Sequence, residues 1–321
     1  MNLAAALKAV APAVGDGKIV PQHAYVDVED PDMRGATVRA GNGEMSVEAH
    51  VDETTPNFCV RYDALVRALE REGTTLSKTA DNNSLIVRAG RSRVTLRCLA
   101  DGTFPTGMTF TSDGGRYGPG PDFQQTLTDL SKFTAGGDGH IWQMGVHFRS
   151  AFVFAFGPFA ATFKEQSFPH DLTIPPWAIR FILAQDGPPT LCNGTNTFRA
   201  EWDGLTMIST RLIEEAPDGA HTFIENLPRE GGVPVPDNLK ETVERIKSYG
   251  VKRFRLGNGK IDHQSEQLEI EEEIDLDVAP RIWGVEQMLA ALEFAETIDL
   301  SGERAIWHGG GYHGVFSGLS G

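Results

Sequence analysis

Residues Ser84 to Pro105 read SLIVRAGRSRVTLRCLADGTFP. Ser84 to Val87, a short apolar run, and Val94 to Cys98, where apolar residues alternate with a two-residue period, read as strands. Ala24-Tyr25-Val26-Asp27-Val28-Glu29 alternates in the same way. Around these strands, six segments carry apolar residues at three- and four-residue spacing and read as helices, for example Leu239, Val243 and Ile246. They begin near Asn2, Tyr62, Asp122, Pro175, Pro236 and Pro280. Several of these starts carry Pro or Asp at or before the first turn, which suits a helix N-terminus.

The helix starts form two interleaved series, each recurring about every 105 to 120 residues, which reads as three copies of one α+β domain. Boundaries fall in Gly- and Pro-rich stretches, from Ser112 to Pro121 and from Glu225 to Pro236. They divide the chain into domains 1–115, 116–225 and 226–321. The 321 residues carry 29 Lys and Arg against 44 Asp and Glu, a net charge of −15. All three segments are acidic, with 12 basic residues against 15 acidic, 7 against 12, and 10 against 17. At 40% hydrophobic and 23% charged the composition is that of a globular protein. No apolar run approaches the ~20 residues of a membrane span, and the N-terminus carries no signal-peptide pattern, so a cytoplasmic location is expected. Cys59, Cys98 and Cys192 are too scattered for a disulfide framework or a zinc cluster.

The opening stretch carries a resemblance. Val87, Arg88, Gly90, Arg91, Ser92, Arg93, Leu99, Phe104 and Pro105 follow the V-R-x-G-R-S-R … L-x-x-x-x-F-P order that ends the first domain of bacterial sliding clamps, the beta subunit family of DNA polymerase III. Gly17-Lys18-Ile19-Val20-Pro21 resembles that family's short basic loop. Gly145-Val146-His147-Phe148 is similar to a strand of its second domain, and Ser209 to Glu214 with Pro217-Asp218 to the segment closing that domain. The third segment is matched mainly by domain count and helix spacing. At 321 residues the chain is shorter than a typical bacterial clamp, as a compact or phage-encoded member would be.

The resemblance implies an α+β DNA clamp fold: three repeated domains, each with two helices packed on antiparallel sheets, assembled as a head-to-tail homodimer ring. Three domains per chain favour two subunits, with a trimer left open. By family position the interface joins Phe104 to Ile246 and Tyr249. The implied function is a non-enzymatic processivity factor that encircles double-stranded DNA without sequence specificity, with no cofactor. The pore candidates are Lys18, Arg67, Arg71, Lys132, Arg180, Lys240 and Lys247; a mixed-charge solvated helix face explains the same spacing. The implied partners, a replicative DNA polymerase and a clamp loader, dock short peptides in a hydrophobic pocket. Here that pocket is assigned to Phe156, Gly157, Pro158, Phe159, Pro217, Val315, Phe316 and Leu319. The family's T-D-G-H-R-L turn corresponds to Ala155-Phe156-Gly157-Pro158-Phe159-Ala160, with Pro158-Phe159 in place of His-Arg, so the pocket is expected to be more aromatic and less polar. Phe152, Phe154, Phe156 and Phe159 read equally well as core.

Other chemistry finds little support. His308-Gly309-Gly310-Gly311-Tyr312-His313 is similar to an esterase oxyanion loop, but no G-x-S-x-G elbow occurs, and the stretch reads better as a turn between two strands. Gly15-Asp16-Gly17-Lys18 lacks phosphate-loop spacing. Glu269, Glu271, Glu273, Asp275 and Asp277 share one strand face, which reads as a solvated outer face rather than a cation site. A β-rich structural protein of virion type and a hydrolase using the C-terminal histidines stand as alternatives.

Overall fold

The computed structural model describes residues 1–319 except 32–34, 101, 106–107, 137–138, 159, 213 and 215. The chain opens with α1 (Leu3–Val10), strands β1 (Tyr25–Glu29), β2 (Ala36–Gly41), β3 (Met45–Val51) and β4 (Phe58–Arg61), helix α2 (Tyr62–Leu69), and strands β5 (Thr75–Lys78), β6 (Ser84–Ala89) and β7 (Ser92–Arg97). It continues with β8 (Ser112–Tyr117), α3 (Phe123–Ser131), β9 (Val146–Phe148), β10 (Phe152–Phe156), β11 (Ala160–Glu165), β12 (Leu172–Ile174), α4 (Pro176–Leu183), β13 (Thr190–Gly194), β14 (Thr197–Trp202) and β15 (Leu205–Thr210). The last part holds α5 (Asp218–Glu225), β16 (Val233–Pro234), α6 (Leu239–Ser248), β17 (Arg253–Gly257), β18 (Lys260–Gln264), β19 (Glu269–Glu273), β20 (Arg281–Gly284), α7 (Val285–Leu292), β21 (Thr297–Asp299), β22 (Arg304–Gly309) and β23 (Tyr312–Ser317).

These elements form two compact units, Met1–Gln124 with Trp177–Arg211, and Gln125–Pro176 with Leu212–Gly321. The first unit holds an eight-stranded sheet, β4-β1-β2-β3-β15-β14-β13-β8, and a three-stranded sheet, β5-β6-β7. The second holds an eight-stranded sheet, β12-β9-β10-β11-β23-β22-β21-β16, and a four-stranded sheet, β19-β18-β17-β20. Every pairing is antiparallel. A group in the order fourth, first, second, third occurs three times, as β4-β1-β2-β3, β12-β9-β10-β11 and β20-β17-β18-β19. A helix follows each group, and then a three-strand meander, β5-β6-β7, β13-β14-β15 or β21-β22-β23. The third strand of one group joins the last strand of a meander twice, β3 to β15 and β11 to β23. Among the described residues, β7 and β19 end their sheets with no strand beyond them.

The helices form where apolar spacing lets one side pack on a sheet. Leu3, Ala6, Leu7 and Val10 of α1 are buried, and the helix lies on β2 and β3. In the second unit Leu239, Val243 and Ile246 of α6 are buried, and α6 packs on α7 through the latter's own buried face, Val285, Met288, Ala291 and Leu292. The core of that unit's large sheet gathers Phe152, Phe154, Phe163, Ile224 and Val315. Phe152 and Phe154 are therefore core residues.

Five of the six expected helices begin within three residues of the expected place. The sixth begins at Val285 rather than near Pro280, because Arg281 to Gly284 first pair with β17. The sequence reading missed α5 altogether. The acidic stretch keeps its alternation, with Glu269, Glu271 and Glu273 exposed on one face of β19, but the ladder with β18 spans only Glu269 to Glu273 and β19 is an edge strand. Gly310 and Gly311, both with positive φ, turn β22 into β23, so the histidine-flanked glycines are a tight hairpin. Among the described residues, no group of three or more potential ligands is placed to hold a metal, and no helix is long and apolar enough to cross a membrane.

Candidate functional site

In the second unit, β10, β11, β23 and α5 enclose a groove of about 390 Å³. Val315 and Phe316 are almost fully buried in the sheet beneath it. Phe156, at the end of β10, leads into a turn in which the Gly157 N–H donates to the Ala160 carbonyl at 2.7 Å. Glycine is required there because a Cβ would stand 2.9 Å from the Phe133 carbonyl oxygen. Pro158 forms one lip. Pro217 caps α5, which brings Ala220 and Phe223 to the opposite wall. Trp142, on a short 3-10 turn at Ile141–Met144, meets the Phe156 ring edge-on with centroids 5.3 Å apart, and Phe156 in turn lies 5.9 Å from Phe223.

His147 fixes that aromatic wall from behind. Its Nε2 lies 2.7 Å from the Trp142 carbonyl, which can only accept, so Nε2 carries the proton. Nδ1 then accepts from the Thr173 hydroxyl at 3.1 Å. Burial, with Arg149 nearby, pushes the His147 pKa down to about 3, so the ring is neutral at physiological pH.

Six of the eight expected pocket residues line this groove: Phe156, Gly157, Pro158, Pro217, Val315 and Phe316. Leu319 does not, since its backbone N–H donates to the Ile282 carbonyl at 2.9 Å in a bridge elsewhere in the unit. Phe159 lies outside the described residues. The sequence reading missed Trp142, Phe223 and Arg304. Trp142 sits on a turn with no periodicity to reveal it, whereas Pro217-Asp218 is a helix-start signal that marks α5 and hence Phe223. Clefts of 540 and 890 Å³ occur elsewhere. The first is lined by Arg39 and Glu48 together with Phe58 and Phe104, the second by Asp237 and Asp275 together with Leu276 and Ile298, and neither gathers as many aromatic rings as Trp142, Phe156, Phe223 and Phe316 bring to the groove.

Of the candidate cations, Arg67, Arg180, Lys240 and Lys247 lie exposed on α2, α4 and α6. Arg71 falls beyond the end of α2, so it does not share a helix with Arg67. Lys132 follows α3, pairs with Glu293 and stands 5.1 Å from the Phe294 ring. Lys247 is bound to Glu286 at 3.0 Å, and Lys18 sits in an exposed loop against Asp16 at 3.0 Å. Of the residues assigned to an interface, Tyr249 is 59% exposed and Phe104 half-buried. Ile246 is wholly buried in the packing of α6 within its own unit.

Among solved structures, the DNA polymerase III beta chain of Streptococcus pneumoniae superposes with a TM-score of 0.83 at 14% identity, over 99% of this chain and 97% of that one. The Caulobacter crescentus beta sliding clamp gives 0.82 at 16% identity over the same shares. The Helicobacter pylori beta clamp, solved with a DNA ligase peptide, gives 0.78 at 12% identity, over 99% and 98%. The chain has the sliding-clamp fold. No protein-family profile matches the sequence, and no curated protein does, so at these identities the likeness lies in the fold alone. Within the clamp fold, the aromatic groove is bordered by β11 and β23, the strands that join a four-strand group to a meander in the second large sheet.

Proposed function

We propose that this chain is a DNA sliding clamp: a processivity factor whose head-to-tail homodimer closes around double-stranded DNA and tethers a replicative polymerase and its loader. The observation that carries the reading is the pair of open sheet edges. Each four-strand group is joined through its third strand to the last strand of a meander, β3 to β15 and β11 to β23. The third group and the first meander are left over, and their matching strands, β19 and β7, each stand at an end of a sheet. Pairing β7 of one copy with β19 of a second completes the series, and two such seams close a ring. In this reading domains 1–115, 116–225 and 226–321 each contribute two helices to the pore.

The chemistry of the two edges supports the same pairing. Arg88, Arg91, Arg93 and Arg97 on the β6–β7 hairpin are exposed and carry no ion pair among the described residues, and Arg88 stands directly across from Arg93. Like charges in that relation are destabilising in a lone chain. Glu269, Glu271 and Glu273 are exposed along β19. The groove bounded by Trp142, Phe156 and Phe223 serves as the docking place for partner peptides.

A clamp holds DNA by topology. Sparse cations such as Lys18, Arg67, Arg180 and Lys240 give weak contacts that read no bases, and a net charge of −15 keeps DNA from gripping the outside. The test is retention on nicked circular duplex, assembled with a clamp loader and followed by gel filtration. The protein is expected to stay with the circle and to run off when one restriction cut linearises it. Equal retention on circular and linear DNA overturns the proposal.

A further inference from the structure

Among the described residues that line the aromatic groove, Arg304 is the sole charged one. It opens β22, opposite Ser317 of β23, and its guanidinium lies over the Phe223 ring at 5.4 Å. In a chain with 44 carboxylates, arginines such as Arg39, Arg61, Arg245 and Arg255 sit on Asp or Glu. Arg304 is exposed and has no carboxylate within ion-pair distance among the described residues. No hydrogen bond to a protein acceptor occupies its N–H donors among the described residues, and such a planar fork takes a carboxylate through two parallel hydrogen bonds. The groove thus offers an apolar, aromatic cavity with one preorganised, unpaired cation at its edge.

We infer that the occupant is a segment of a partner protein in which a large apolar anchor adjoins Asp or Glu, and that Arg304 reads that side-chain carboxylate. This rests on the groove being a peptide-docking site and adds the charge of the peptide it selects. The cavity takes the anchor, and Arg304, held against Phe223, binds the neighbouring acid without first having to become ordered. Neutral or basic segments with the same anchor are discriminated against, because the guanidinium then faces no partner or a like charge.

The test uses two amidated, fluorescein-labelled peptides, Gly-Ser-Asp-Phe-Leu-Asp-Ser and its counterpart with Asn at both Asp positions, titrated by fluorescence anisotropy. The protein is expected to bind the acidic peptide about three- to tenfold more tightly, with the preference shrinking as salt is raised. The R304Q variant should bind both peptides alike, and R304K should keep part of the preference. The neutral peptide serves as the folding control for each variant. Equal binding of the two peptides by the unaltered protein, or a preference that survives in R304Q, overturns the role of Arg304 and leaves peptide docking standing. Failure of both peptides to bind the unaltered protein overturns the docking reading with it.

Discussion

His147 is fully buried, with Nε2 2.7 Å from the Trp142 carbonyl and Nδ1 3.1 Å from the Thr173 hydroxyl, and this burial disfavours the charged ring. Its pKa of about 3 in the folded protein lies below the ~6.5 of an unfolded chain, so the unfolded state binds the extra proton first. Stability from this residue is complete above pH ~6.5 and is lost as the pH falls toward about 3. Urea midpoints at pH 7 and pH 4.5 are expected to differ more for the unaltered protein than for H147Q, by roughly 2 kcal/mol once converted. Parallel pH profiles for the two proteins would refute the assignment. His308 and His313, whose Nδ1 atoms lie 2.9 Å apart, are also held below the usual histidine range by burial, so the comparison is made against the single variant rather than against zero slope. None of this was legible in the sequence. His147 reads as one polar residue in a short strand, and Thr173 is joined to it only when β9 pairs with β12.

Helices were legible where one side packs on a sheet and the first turn carries its own signal. Asn2 is the clearest instance: its side chain accepts from the Ala5 N–H at 2.9 Å and caps α1. Replacing it by Ala is expected to cost about 1 kcal/mol of stability by denaturant titration, while N2D keeps the cap and adds a favourable charge at the helix N-terminus. An unchanged midpoint in N2A would mean that packing of Leu3, Leu7 and Val10 alone holds the helix. Where signals compete, the reading slipped. Pro280 resembles a helix start, but the residues after it satisfy their backbone on β17 before the helix begins. Pro217-Asp218 announced α5, yet its eight residues bury only Ala220 and Ile224, too few to reveal a period. The pocket followed the same rule. Its strand and turn residues, Phe156 to Pro158 and Val315 with Phe316, were placed by the family resemblance, whereas Trp142 and Arg304 enter it through tertiary structure alone.

At the scale of the molecule, the threefold repeat first visible in helix spacing recurs in strand order, and the repeat is what makes the two open edges informative. The acidic alternation from Glu269 to Asp277 reads on its own as a solvated face, because a sequence does not disclose that the strand carrying it ends a sheet. In the proposed ring it faces the arginines of β6 and β7 as half of a charged seam, and that proposal can be tested by exchange of sign. An R93E/R97E variant puts acids on both sides of each seam, and an E269R/E273R variant puts cations on both sides. Each alone is expected to sediment as a monomer at concentrations where the unaltered protein is a dimer, a weakening of about a hundredfold or more, since close interfacial charge pairs are coupled by ~1.5–7 kcal/mol. Mixed in equal amounts, the two variants restore opposite charge at both seams of a head-to-tail pair, because the acidic β7 of one meets the basic β19 of the other while its own native β19 meets native β7. The mixture should therefore recover a dimer that neither variant forms. A self-complementary contact through β7 alone would leave E269R/E273R dimeric by itself, and a contact through β19 alone would leave R93E/R97E dimeric, so either result would exclude the head-to-tail ring.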